Sequence, residues 1–143
     1  MASPIPKQFL SLEGVPIFVH TLRKLVACQA VDEIYLGLRA EDKERAQNEI
    51  ERDCLSRPVR LVEGGPSRQE TVARCLDGVS ADAEVVLVHD AVRPFIELEM
   101  IPARSSFSPS GTSITKDFTH QGSGRCRICA GSGRLTGGFS RTP

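Results

Sequence analysis

PVRLVEGGPSRQETVARCL, residues 58–76, reads as a strand, a turn and a helix in immediate succession. Val59 and Leu61 alternate in the first five residues, the period-2 pattern of a strand. Gly64-Gly65 ends that run. Ser67 and Glu70 then stand at S-x-x-E spacing, in which each side chain satisfies an otherwise unpaired backbone N–H at a helix start. That places the helix start at Ser67. Val72, Cys75, Leu76 and Val79 recur at i, i+3, i+4 and i+7, one apolar helical stripe.

The same alternation continues on both sides. Upstream, Pro16 opens a helix whose stripe is Phe18, Leu22, Leu25 and Val26. Glu33 to Arg39 reads as a strand through Ile34, Leu36 and Leu38, and Ala40 to Asp53 as a charged surface helix with Ala46, Ile50 and Cys54 on its inner side. Downstream, Val85 to Val88 is wholly apolar, the signature of a strand buried on both faces. The order helix, strand, helix, strand, helix, strand predicts an α/β domain, a parallel sheet covered by helices on both faces. Such a domain ordinarily opens on a strand and its phosphate-facing loop, so its first strand is expected upstream of Met1.

Composition bounds the function. The chain has 143 residues, one domain's worth, with 18 basic and 18 acidic side chains. Zero net charge argues against a general nucleic-acid surface. No apolar run approaches the roughly 20 residues that span a bilayer, and Met1 to Phe9 does not resemble a secretory signal. Five irregularly spaced cysteines fit a reduced, cytoplasmic chain. The average conceals a seam. Residues 1–101 carry 12 basic and 17 acidic groups, whereas 102–143 carry six and one. Ser, Gly, Thr and Pro make 23 of those last 42 residues, and Ile, Leu and Val only three. So little apolar surface cannot offset the entropy of ordering, which predicts a globular part over 1–101 and a disordered or frame-shifted tail over 102–143.

Two constellations suit anionic chemistry. Gly64 and Gly65 permit close backbone approach, the following helix start favours an anion, and Arg68 is a fork donor for phosphate. The pattern alone fits an ordinary strand–helix turn as well. His89-Asp90-Ala91-Val92-Arg93-Pro94 follows the most apolar strand, at the end where open parallel sheets bind ligands. There Asp90 suits Mg²⁺ beside a nucleotide, and Arg93 a second phosphate. His89 reads as a packed histidine, Lys7 by itself as a solvated lysine, and Cys28, Cys54 and Cys75 as packing residues. Cys126-Arg-Ile-Cys129-Ala-Gly131-Ser-Gly133 resembles one zinc-binding repeat of J-domain chaperones. It supplies two of the four ligands zinc requires, with His120 as a third.

Three ordered blocks carry a second resemblance: Pro6-Lys7-Gln8-Phe9-Leu10, Gly64-Gly65 with Ser67-Arg68-Gln69-Glu70-Thr71-Val72, and Val88-His89-Asp90-Ala91-Val92-Arg93-Pro94-Phe95. Together with Gly14-Val-Pro-Ile, His20-Thr21-Leu22 and Val31-Asp32-Glu33-Ile34, they are similar to the signature of the 2-C-methyl-D-erythritol 4-phosphate cytidylyltransferases of isoprenoid biosynthesis, over residues 1 to about 101. The ribitol 5-phosphate cytidylyltransferases share much of the pattern. GGPSRQETV leans toward the isoprenoid family. The resemblance implies a Rossmann-like three-layer nucleotidyltransferase fold. It also implies transfer of a cytidylyl group from CTP to a sugar-alcohol phosphate, with Mg²⁺ and release of pyrophosphate. On the matching positions, Lys7 stabilises charge at the α-phosphate, and Gly64, Gly65 and Thr71 contact the nucleotide. Arg68 supports loop and nucleotide, while Asp90 and Arg93 contact Mg²⁺ or substrate. Thr71 stands where the family usually has serine.

The resemblance also implies what is not here. The family opens on a strand and a Gly-rich loop, about LAAGxGxRMG, and continues past the match into a dimerising arm and further site residues. The fold is therefore expected to be incomplete, lacking its first strand and its C-terminal part, and the chain alone to be inactive. The family's homodimer is not visible in this sequence. Its partners are small molecules, with no nucleic acid and no membrane. The other expectation for residues 1–143 is a non-catalytic nucleotide- or zinc-binding remnant.

Overall fold

The computed structural model describes residues 5–81, 83, 85–97, 114–115, 118–119 and 126–131. A 3-10 turn at Lys7–Phe9 leads into a small hairpin, β1 (Ser11–Leu12) and β2 (Val15–Pro16). The hairpin turns through Glu13 and Gly14, both at positive φ. There follow α1 (Ile17–Ala27), β3 (Val31–Leu38), a 3-10 turn (Ala40–Asp42), α2 (Lys43–Asp53), β4 (Val59–Glu63), α3 (Arg68–Gly78) and β5 (Val85–Asp90). A two-residue hairpin, β6 (Ile114–Thr115) and β7 (Phe118–Thr119), precedes β8 (Cys126–Gly131).

Four strands form one parallel sheet in the order β4-β3-β8-β5. Strand alternation sends β3 side chains to opposite faces, and the packing follows that parity. Ile34, Leu36 and Leu38 bury against Phe18, Leu22, Leu25 and Val26 of α1, Ala46 of α2, and Leu87. Tyr35 faces the other way and packs with Cys75 of α3, Val62, Val79, Val86 and Val88. Val31 has odd parity yet joins the first cluster. A register shift between Val31 and Glu33 accounts for it, since one extra residue exchanges the two faces. Thus α1 and α2 cover one face and α3 the other, the three layers that the alternating sequence predicts.

Local chemistry sets the element ends. Pro16 precedes α1 at φ −57°, and extended Cys28 closes the helix. Cys54 ends α2 in the left-handed conformation, φ 50° and ψ 50°. Several boundaries differ from the sequence reading. The charged helix begins at Lys43, after the 3-10 turn, where buried Asp42 accepts a hydrogen bond from Gln8 Nε2 at 3.2 Å. β3 starts at Val31, and β5 runs on to Asp90. Leu76 of the α3 stripe is exposed, the inward position falling to Cys75. Cys28 and Cys75 are buried, but Cys54 is exposed, not packed. Its left-handed backbone turns it off the helical face, and its thiol bonds the Glu51 carbonyl.

The larger difference is β8. Composition places residues 126–131 in the tail, yet their backbone runs between β3 and β5, paired on both sides. Composition averaged over 42 residues dilutes a six-residue strand, and two flanking ladders supply the partners that its own segment lacks. His120 and the others of residues 98–113, 116–117, 120–125 and 132–143 lie outside the described residues.

Candidate functional site

The registers bring the carboxyl ends of the strands to one edge: Leu38 lies opposite Glu63, and Asp90 opposite Gly131. The Gly64-Gly65 loop leaves β4 at this edge. The Gly64 N–H donates to the Leu38 carbonyl at 2.6 Å, tying the loop to β3. A Cβ on Gly64 would stand 2.8 Å from Thr71 Oγ1 and 3.2 Å from that carbonyl. On Gly65 it would collide with Glu70 Cβ. Both glycines are therefore required by close approach of α3.

The α3 start is the capping box read from the sequence. Ser67 Oγ accepts the Glu70 N–H at 3.1 Å, and Glu70 Oε2 accepts the Ser67 N–H at 3.2 Å. Ser67 itself is the N-cap, and the helix runs from Arg68. Thr71 is buried within this loop. Its hydroxyl accepts the Gly65 N–H at 3.1 Å and donates to the Ser67 carbonyl at 2.9 Å. Arg74 donates to the Gly64 carbonyl at 3.0 Å. The sequence reading did not single out Arg74, because an arginine on a solvated helix face is unremarkable in pattern.

The second half of the site is the turn after β5. Asp90 Oδ1 accepts the Val92 N–H at 3.2 Å, and the Arg93 N–H closes the turn on the Asp90 carbonyl at 3.1 Å. His89 is buried and donates from Nε2 to the Arg93 carbonyl at 3.2 Å, the packed role expected for it. Thr21 of α1, also missed in the sequence, donates to the Ala91 carbonyl at 2.8 Å. The turn is thus braced from both sides.

The two halves meet at one carboxylate. Asp90 Oδ2 lies 3.6 Å from Arg68 Nη1 and 3.9 Å from Arg93 Nε. Arg68 is nearly buried, with 10% of its side chain exposed, against 57% for Arg93. Gly64, Gly65, Arg68, Thr71, Asp90 and Arg93 therefore share one edge of the sheet. Lys7 does not join them by any ion pair among the described residues. It is exposed on its own 3-10 turn, which is anchored by Phe9 edge-on to Phe18, ring centroids 5.4 Å apart, and by Arg45 over Phe9. Away from this edge, Arg23 chelates Asp53, whose hydrogen bonds hold the guanidinium pKa above its usual value.

No cluster of three or more metal-ligating side chains occurs among the described residues. Asp90 is a single carboxylate donor, which suits Mg²⁺ shared with substrate phosphates rather than a closed protein cage. The Cys126–Cys129 motif does not have the backbone of a metal knuckle. The backbone of Cys126 and Cys129 is that of an extended strand, on which residues three apart are about 10 Å apart.

Comparison with known proteins gives the family. Residues 1–113 match the family described as IspD, 2-C-methyl-D-erythritol 4-phosphate cytidylyltransferase. The chain is 48% identical over 97 residues to the enzyme of that name from Solibacter usitatus, covering 68% of this chain and 40% of the relative. Its likeness to the Clostridium botulinum (strain ATCC 19397 / Type A) enzyme of the same name is 42% over 101 residues, 71% of this chain and 44% of the relative. The crystal structure of 4-diphosphocytidyl-2C-methyl-D-erythritol synthase from Anaerococcus prevotii superposes with a TM-score of 0.62 at 26% identity, over 70% of this chain and 43% of that one. The chain spans about two fifths of the length of the curated relatives it matches.

Proposed function

We infer the function of this chain from its family, for it belongs to the 2-C-methyl-D-erythritol 4-phosphate cytidylyltransferases. We propose that it carries the nucleotide-facing part of a site that transfers the cytidylyl group of CTP to 2-C-methyl-D-erythritol 4-phosphate. An oxygen of the acceptor phosphate forms a bond to the α-phosphorus, and the bond from that phosphorus to the departing pyrophosphate breaks. Such a step depends on positioning and charge neutralisation more than on an acid or base.

The observation that carries the reading is the convergence of a bare Gly64-Gly65 loop, a capped helix start, Arg68, Asp90 and Arg93 on one sheet edge. Gly64 and Gly65 let the nucleotide approach backbone. Arg68, held rigid by burial, is a fixed fork donor for phosphate, and exposed Arg93 a movable one. Asp90 would hold Mg²⁺, which neutralises phosphate charge when bound. Lys7 neutralises charge at the α-phosphate. Thr71 acts by holding the loop. The protein works in the cytoplasm. No described helix is long and apolar enough to cross a membrane.

The test is thermal melting of the full chain with and without CTP and MgCl₂. A ligand at 100 times its Kd stabilises the native state by about 2.7 kcal/mol, a rise on the order of 10 °C in a domain with roughly 100 ordered residues. Arg68→Ala is expected to remove most of that rise. No rise with wild type at millimolar CTP would overturn the assignment.

A further inference from the structure

Strand β8 lies outside the stretch that matches the family: that match ends at residue 113, and β8 begins at Cys126. It nevertheless holds an inner position of the sheet, between β3 and β5. Cys126, Arg127, Ile128, Cys129, Ala130 and Gly131 lie opposite Val85 to Asp90 on one side. On the other, Arg127 to Gly131 follow Glu33 to Gly37 in unbroken register. The chain passes from β3 outward to β4, then returns across the sheet to β5, so β8 occupies the place where strand order reverses. In open parallel sheets the crevice beyond the carboxyl ends at this place receives the ligand.

The carboxyl end of β8 is Gly131, in register with both Asp90 and Gly37. It has no side chain, and its backbone lies opposite Asp90, whose carboxylate Arg68 and Arg93 flank. We propose that residues 126–131 are an inner strand of the nucleotide domain, supplied from the C-terminal segment, and that Gly131 forms part of the rim facing the phosphates of a nucleoside triphosphate. The strand assignment stands on pairing alone. The role of Gly131 rests on the nucleotide-binding function proposed above. A glycine there lets backbone approach a ligand closely. The order of the chain is then permuted in space, an inner strand being the last in sequence.

Two measurements on the full chain test this separately. Hydrogen exchange without ligand reads the strand: amides of residues 127–131 are expected to exchange about 100-fold or more slowly than unstructured backbone. Ile128→Pro, which removes an N–H in mid-strand, is expected to lower the melting temperature and extend the loss of protection to β3 and β5, whereas Ile128→Val does neither. Unprotected amides at 127–131, or an Ile128→Pro chain that melts like wild type, would overturn the strand assignment whatever the ligand does. Melting with CTP and MgCl₂ reads the rim. Gly131→Val suits a strand and is expected to keep the ligand-free melting temperature while losing most of the CTP-induced rise. A full rise in Gly131→Val overturns the rim. Absence of any rise in wild type, with 127–131 protected, refutes the nucleotide reading and leaves the strand standing.

Discussion

Replacing Thr71 by valine separates two roles for one hydroxyl. The resemblance to relatives gives it a contact with the nucleotide, whereas the structure encloses it in the loop. Oγ1 accepts the Gly65 N–H at 3.1 Å and donates to the Ser67 carbonyl at 2.9 Å. Valine keeps the shape and removes both bonds. At about 1 kcal/mol for each intramolecular hydrogen bond, Thr71→Val should cost about 2 kcal/mol. For roughly 100 ordered residues that lowers the melting temperature by about 8–10 °C. Thr71→Ser keeps the hydroxyl and loses one buried methyl group, a cost of about 1 kcal/mol. The expected order of stability without ligand is therefore wild type, Thr71→Ser, Thr71→Val, read by thermal or urea unfolding. Were the hydroxyl aimed at the nucleotide, Thr71→Val would melt within about 1 °C of wild type and only the CTP-induced rise would fall. That result would refute the brace.

The neighbouring residues give sharper, smaller tests. Ser67→Ala removes the cap from α3 and is expected to cost about 1 kcal/mol in urea unfolding; Asp at the same position should recover most of it. Gly65→Val forces a side chain into Glu70 Cβ, so it should either shift the loop or destabilise the chain by about 1–3 kcal/mol, with the CTP-induced melting rise lost. Leu36→Ala, fully buried between α1 and the sheet, should cost about 2–5 kcal/mol, measured against the exposed Leu76→Ala at under about 1 kcal/mol. Asp90→Asn is expected to remove the dependence of CTP binding on Mg²⁺, read by titrating MgCl₂ at fixed CTP; an unchanged dependence would move the metal to another ligand.

The α/β plan was readable because each element carries a local signal. The stripe Phe18, Leu22, Leu25 and Val26 is buried throughout, and S-x-x-E marks the α3 cap to within a residue. The meeting of Gly64, Gly65, Arg68, Asp90 and Arg93 at one sheet edge was readable because strand ends, turns and charges coincide in sequence. What escaped is long-range. Thr21 reaches Ala91 across 70 residues, and no local pattern of a helical threonine reports its acceptor. Cys54 carries the right spacing for an inward face, but spacing assumes that the helix continues, and it ends in a left-handed turn there. β8 is the extreme case. Six residues within a Ser/Gly-rich stretch hold no amphipathic period, and their place comes from two strands, β3 and β5, whose closest paired residues lie about 40 positions away in sequence.

The geometry around Asp90 explains why this edge combines both signs of charge. Arg68 and Arg93 stand 3.6 and 3.9 Å from Oδ2, beyond hydrogen-bond length, while the other oxygen is committed to the Val92 amide. A carboxylate so placed draws two guanidinium groups to one edge of the sheet. Burial matters in the same direction. A nearly enclosed Arg68 would be costly without a counter-charge, and Asp90 supplies one at the sheet edge. On the nucleotide-binding function proposed above, phosphate at the arginines would weaken their hold on Asp90 and make that carboxylate a better ligand for a cation. Anion and cation binding would then be linked through one side chain, so we treat the arginines and the aspartate as one proposed site.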